Sequence, residues 1–94
     1  MPIDDQTLRR QLLFRSWHRG TREMDLILGR FAERYLPTLD SAQLDGYARL
    51  LEKADPDIYV WLTGRDAPPA DIGEGLWRLL MASLSPEASK DAKA

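Results

Sequence analysis

Apolar residues recur along this chain at spacings of three and four and nowhere alternate with period two, so each structured segment reads as helix. A first helix is predicted over 5–18, with Leu8, Leu12, Leu13 and Trp17 as its apolar members. Over 21–36, Met24, Ile27, Leu28, Phe31 and Tyr35 fall on one continuous face, and Pro37 ends the run. A third helix starts at Asp40, which caps with Gln43 three positions on, while Leu39 and Leu44 form a hydrophobic staple. Its inward stripe is Leu44, Tyr47, Ala48 and Leu51. A short fourth helix begins at Asp55-Pro56, with Asp55 expected as N-cap, and runs through Ile58, Tyr59, Trp61 and Leu62 to Gly64. After the connector 65–69, a fifth is expected near 70–84, with Ile72, Leu76, Leu79, Leu80 and Leu84 inward and Gly73 and Gly75 weakening its first turns. The predicted fold is all-α: a small single-domain bundle of five helices over 1–84, with short connections and a disordered tail at 85–94.

At 94 residues, 44% of them hydrophobic, the chain is long enough for one core and too short for two. It has no cysteine, which excludes disulfides, thiolate metal sites and cysteine nucleophiles. No apolar run reaches the length of a membrane span, and the first residues lack the pattern of a signal peptide, so the expected setting is cytoplasmic without membrane insertion. The formal charge of −2 is unevenly spread. Residues 1–34 are net positive through arginine alone, and the remainder is net negative. Arginine without lysine suits fixed, bidentate contacts better than general solubility.

Catalysis finds little footing. The single histidine, His18, has no serine on a strained elbow and no oxyanion hole to serve. Asp55 and Asp57 flank Pro56, but negative charge at a helix N-terminus accounts for both. No catalytic or metal-binding set emerges, and no glycine-rich phosphate loop marks a tightly bound cofactor.

The junction of the first two helices is richer. Arg15, Trp17, Arg19, Gly20, Arg22 and Glu23 crowd one corner. Two readings fit. Gly20 can close the first helix at positive φ, with Glu23 in the first turn of the next and Arg19 at the helix C-terminus. Alternatively, arginine and tryptophan at a glycine-opened corner form a protein-binding hot spot. From the residues alone the chain is a small helical interaction module. A helix-turn-helix regulator is the alternative, opposed by Pro37 in the turn and by a recognition helix whose Arg49 and Lys53 face acidic neighbours.

Arg19-Gly20-Thr21-Arg22-Glu23 resembles the Arg-Gly-x-x-Glu signature of the succinate dehydrogenase FAD assembly factors, the SdhE family. Leu50-Leu51-Glu52, followed by Asp55-Pro56-Asp57-Ile58-Tyr59-Val60-Trp61-Leu62, is similar to the family's second block. Order, separation and chain length agree with the family over about residues 8–84. The resemblance implies an accessory protein that binds the flavoprotein subunit of succinate dehydrogenase, and in some bacteria fumarate reductase, and promotes covalent attachment of FAD there. It implies that FAD belongs to the partner, with none held tightly on this chain; the near-neutral charge argues against a nucleic-acid partner, and the free protein is expected to be a monomer. By position, Arg19, Gly20 and Glu23 are the partner contacts, with Arg15, Trp17 and Arg22 beside them. If so, Arg19, Gly20 and Glu23 are expected to be solvent-accessible and dispensable for the fold. Asp57, Tyr59 and Trp61 match the second block, where packing is the expected role, with Trp61 and Leu62 buried against the second and third helices.

Overall fold

A computed structural model describes residues 4–84; the expected tail at 85–94 lies outside them. Five α-helices follow one another: α1 (Asp5–Trp17), α2 (Arg22–Tyr35), α3 (Ser41–Leu51), α4 (Asp55–Leu62) and α5 (Glu74–Ser83). The described residues contain no strand. α1 packs chiefly on α2 and next on α3, whereas α4 touches its neighbours more sparingly.

Local chemistry accounts for most of the boundaries. Asp4 caps α1 by accepting the Thr7 N–H at 2.7 Å, and that bond holds its carboxyl below the usual aspartate range, with a smaller contribution from Arg10. The capping box on α3 forms in both directions: Asp40 Oδ1 accepts the Gln43 N–H at 2.8 Å, and Gln43 Oε1 accepts the Asp40 N–H at 3.0 Å. Leu39 and Leu44 are both buried, as a staple requires. α2 ends at Tyr35 and Pro37 lies in the 3-10 turn Leu36–Thr38. Arg9 reaches across from α1 to that turn, donating to the Leu36 and Leu39 carbonyls at 3.0 and 2.7 Å.

Two expected helix starts are corrected. Asp55 is not the cap of α4; Ala54 holds that position, and Asp55 is the first helical residue. A charged partner elsewhere in the fold takes its carboxylate, which outweighs a local N–H bond. The fifth helix begins only at Glu74. Ala70–Ile72 form a 3-10 turn, and Gly73, at φ +95°, breaks the chain between the two where a side chain would be strained. Leu84, expected inward, is exposed just beyond the helix end.

The core joins Leu12, Met24, Leu28, Phe31, Leu36, Leu44, Tyr47, Leu50, Ile58, Ile72, Leu76 and Leu80. Trp61 and Leu62 pack against it half-buried, not buried as expected. Two glycines set close approaches. A Cβ on Gly29 would lie 2.3 Å from the Trp17 ring, and one on Gly46 would lie 2.0 Å from the Ile72 carbonyl oxygen. Neither position has room for a side chain.

Tyr47 is the polar centre of this core. Its hydroxyl lies 2.6 Å from Ser16 Oγ and 3.2 Å from the Leu28 carbonyl oxygen, while Ser16 donates to the Leu12 carbonyl. Burial raises the Tyr47 pKa well above its ordinary value of 10, because a phenolate there would lose its hydration. The native state therefore keeps a proton that the unfolded chain releases above pH 10. Stability from this group is complete below that pH and falls as pH rises further, by at most about 1.4 kcal/mol per pH unit. Chemical denaturation of the wild type between about pH 10 and 11.5 should show this decline, and Tyr47→Phe should lose that part of the slope. Equal slopes in the two proteins would show that the phenol ionises freely.

Candidate functional site at the α1–α2 corner

The corner between α1 and α2 is a built structure. Gly20 adopts φ +118°, letting the chain reverse, and the Thr21 hydroxyl caps α2 by accepting the Met24 N–H at 3.3 Å. The Arg19 main-chain N–H donates to Asp25 Oδ1 at 2.5 Å, clipping the turn to the first coil of α2.

The Arg19 side chain points into the fold. Its guanidinium donates to Asp55 Oδ1 at 2.9 Å, to the Leu51 carbonyl at 2.5 Å and to the Lys53 carbonyl at 2.8 Å. Helix ends leave carbonyls unpaired, and Leu51 is the last residue of α3. One planar cation thus satisfies the end of α3, the linker after it and the first carboxylate of α4. The side chains of Arg19 and Asp55 are only 10% and 15% exposed. The Arg19 side chain is therefore not freely accessible. The expectation of an accessible Arg19 is corrected, because three acceptors from a distant segment converge on it.

Trp17 is likewise engaged. It is half-buried, covers Gly29 and donates its indole N–H to Glu33 Oε2 at 2.9 Å. Gly20, Arg22 and Glu23 are exposed and Arg15 is half-exposed. Arg22 and Glu23 have no ion-pair partner among the described residues.

The Arg19–Asp55 pair brings the two sequence blocks together. Thr21, Glu23 and Met24 from the first, with Asp55, Pro56 and Tyr59 from the second, line an open cleft of about 430 Å³. Met24 is buried, Pro56 is exposed and Tyr59 is 48% exposed. The expectation that Asp57 and Tyr59 pack inward is corrected, since both face solvent; Trp61, about 200° around the short helix from Tyr59, is half-buried. An apolar wall with one free carboxylate at its rim can receive a side chain that has an aliphatic or aromatic stem and a positive end.

Asp25 and Tyr59 are the contributors that sequence reasoning missed or misplaced. Asp25 falls six positions after Arg19 across a glycine turn, close enough to clip it, but nothing in the spacing requires the bond. Arg49 and Lys53, which a DNA-reading helix would need free, are committed instead. Arg49 donates to the Asp71 carbonyl and Lys53 lies 3.5 Å from the Asp71 carboxylate. No group of three or more potential metal ligands occurs among the described residues, and none of their helices is long and apolar enough to cross a membrane.

The family described as "Flavinator of succinate dehydrogenase" matches residues 10–87. A relative from Cryptococcus neoformans named succinate dehydrogenase assembly factor 2, mitochondrial, is 40% identical over 67 residues, covering 71% of this chain and 38% of its own. Proteins of the same name from Meyerozyma guilliermondii and Scheffersomyces stipitis are 45% and 49% identical, covering 62% and 58% of this chain and 43% and 37% of theirs. The chain thus spans about two fifths of the length of these relatives. With a match over most of its length and both blocks folded onto one cleft, the chain belongs to the family of succinate dehydrogenase flavinators.

Proposed function

We propose that this chain is a non-catalytic assembly factor that binds the flavoprotein subunit of succinate dehydrogenase through the corner cleft and promotes attachment of FAD to that subunit. The convergence of two distant sequence blocks on a cleft with an unpaired carboxylate, Glu23, and an exposed aromatic, Tyr59, carries the reading. The family membership supports it.

The physical action is a population shift. A partner that binds one conformer of the flavoprotein more tightly raises its occupancy by the ratio of the two affinities, without taking part in the chemistry. The fold suits such a template. Arg19 fixes α4 against the corner, so the cleft walls are preorganised and little ordering cost falls on binding. The flavin stays with the client.

The test is acid-stable flavin fluorescence of the flavoprotein subunit, expressed with and without this chain. A covalent flavin yield that does not depend on the chain would overturn the proposal. The purified chain, after gel filtration in the presence of FAD, should show no flavin absorbance. Retention of stoichiometric flavin would make it a flavin carrier instead.

A further inference from the structure

Phe14 is the most exposed large apolar side chain among the described residues, at 64%. It lies two positions after the fully buried Leu12, which places it about 200° around α1, on the side facing away from the core. Its ring is not loose. It stacks on the His18 ring with centroids 4.0 Å apart and planes 17° from parallel, and His18 Nδ1 lies 2.7 Å from the Phe14 carbonyl oxygen. Arg10, Gln11 and Arg15 complete a shallow pocket of about 390 Å³ around it, with no carboxylate in the lining.

The charges in this strip were not recruited by the fold. Arg9, one position away, spends its guanidinium on the Leu36 and Leu39 carbonyls. Arg10 and Arg15 have no ion pair among the described residues, although Arg10 is close enough to Asp4 to contribute to its lowered pKa. A chain of net charge −2 thus presents a fixed aromatic plate between two arginines.

From this arrangement we infer that the Phe14–His18 strip of α1 is a second contact zone, which takes an acidic segment of the same protein partner that occupies the corner cleft. The inference rests on the proposed function for the partner's identity. Charge complementarity selects the occupant: carboxylates meet Arg10 and Arg15, and an adjacent apolar side chain covers Phe14. His18 and Arg19 are consecutive, so the strip continues directly from the corner. Two free arginines on a net acidic chain are too few to hold a nucleic-acid backbone. A lone phenyl ring lacks the apolar face of a membrane-bound helix. A second copy of the chain would set like charges against each other across a two-fold axis.

The test measures affinity of the full chain for the purified flavoprotein subunit at low and high salt. Phe14→Ala should weaken binding roughly tenfold. Arg10→Glu combined with Arg15→Glu should weaken it at least tenfold at low salt and flatten its salt dependence. Phe14→Ala should melt like the wild type, and the charge reversal should stay folded with only a modest decrease, since neither alters a core contact. Unchanged affinity in both, while Glu23→Ala still abolishes binding, would overturn the strip and leave the cleft standing. Failure of the wild type to bind the subunit would overturn both readings. Strip-dependent binding to a DNA duplex or to phosphatidylglycerol vesicles, or a dimer in sedimentation that Phe14→Ala dissolves, would replace the acidic segment with that occupant.

Discussion

Arg19→Ala should lower the melting temperature by at least about 10 °C, although the residue sits in a surface corner of the sequence motif. The substitution removes the cation that holds Asp55, Leu51 and Lys53 together. It leaves a carboxylate of 15% exposure without its partner and two carbonyls short of a donor. Removing one member of a buried, hydrogen-bonded charge pair costs about 3–5 kcal/mol, and the residual solvent access here reduces that to about 2–4. In a domain of this size each kcal/mol is worth about 4–8 °C. Because α4 is lightly packed elsewhere, the loss should concentrate there, with faster amide exchange over 55–62 than over α1 and α2. Asp55→Ala should destabilise by a smaller amount, and the double variant should fall well short of the sum, since both remove one interaction. A wild-type melting curve for Arg19→Ala would show that the clamp is ornamental.

Glu23→Ala should do the opposite: leave the fold intact and eliminate function. The side chain is exposed in the first turn of α2, so its loss removes a helix-dipole interaction of about 0.3–1 kcal/mol. Across a desolvated interface the same carboxylate, if paired with a partner cation, is worth about 2–5 kcal/mol, a loss of roughly 30-fold to several thousand-fold in affinity. The measurement is covalent flavin on the co-expressed flavoprotein subunit, alongside the melting temperature of the purified variant. A folded Glu23→Ala that supports full flavinylation would remove the cleft from the binding surface. The two substitutions thus divide one motif. Arg19 variants should fail through lost order in α4, and Glu23 variants through lost contact alone.

That division could not be read from the motif, where arginine and glutamate stand side by side as equals. What was legible followed from short-range rules. The Asp40–Gln43 box, the Leu39–Leu44 staple, the break at Pro37 and the turn at Gly20 involve partners within five residues or the conformation of one residue, and each formed as expected. The face of α2 was likewise set by its 3.6-residue period, since Met24, Leu28 and Phe31 are all buried. Gly73 shows the limit of such rules: glycine in a helical pattern signals either a weak turn or a break, and positive φ at this position made it a break.

The sequence by itself determined an all-α chain, the places where most helices begin and end, and two blocks that mark its family. Tertiary structure decided what the blocks do together. Asp55 has the credentials of an N-cap, but a guanidinium from 36 positions earlier binds its carboxylate more strongly than a neighbouring N–H would. Tyr59 and Trp61 lie two residues apart on one short helix, and only the placement of α4 turns the first outward into the cleft and the second toward the core. Phe14 has the residue type of a core position and the location of a surface one, because α1 meets α2 and α3 through Leu12 and Ser16 on its far side. Local propensity and periodicity act over one or two turns, whereas the pairing of Arg19 with Asp55 depends on three helices closing around it.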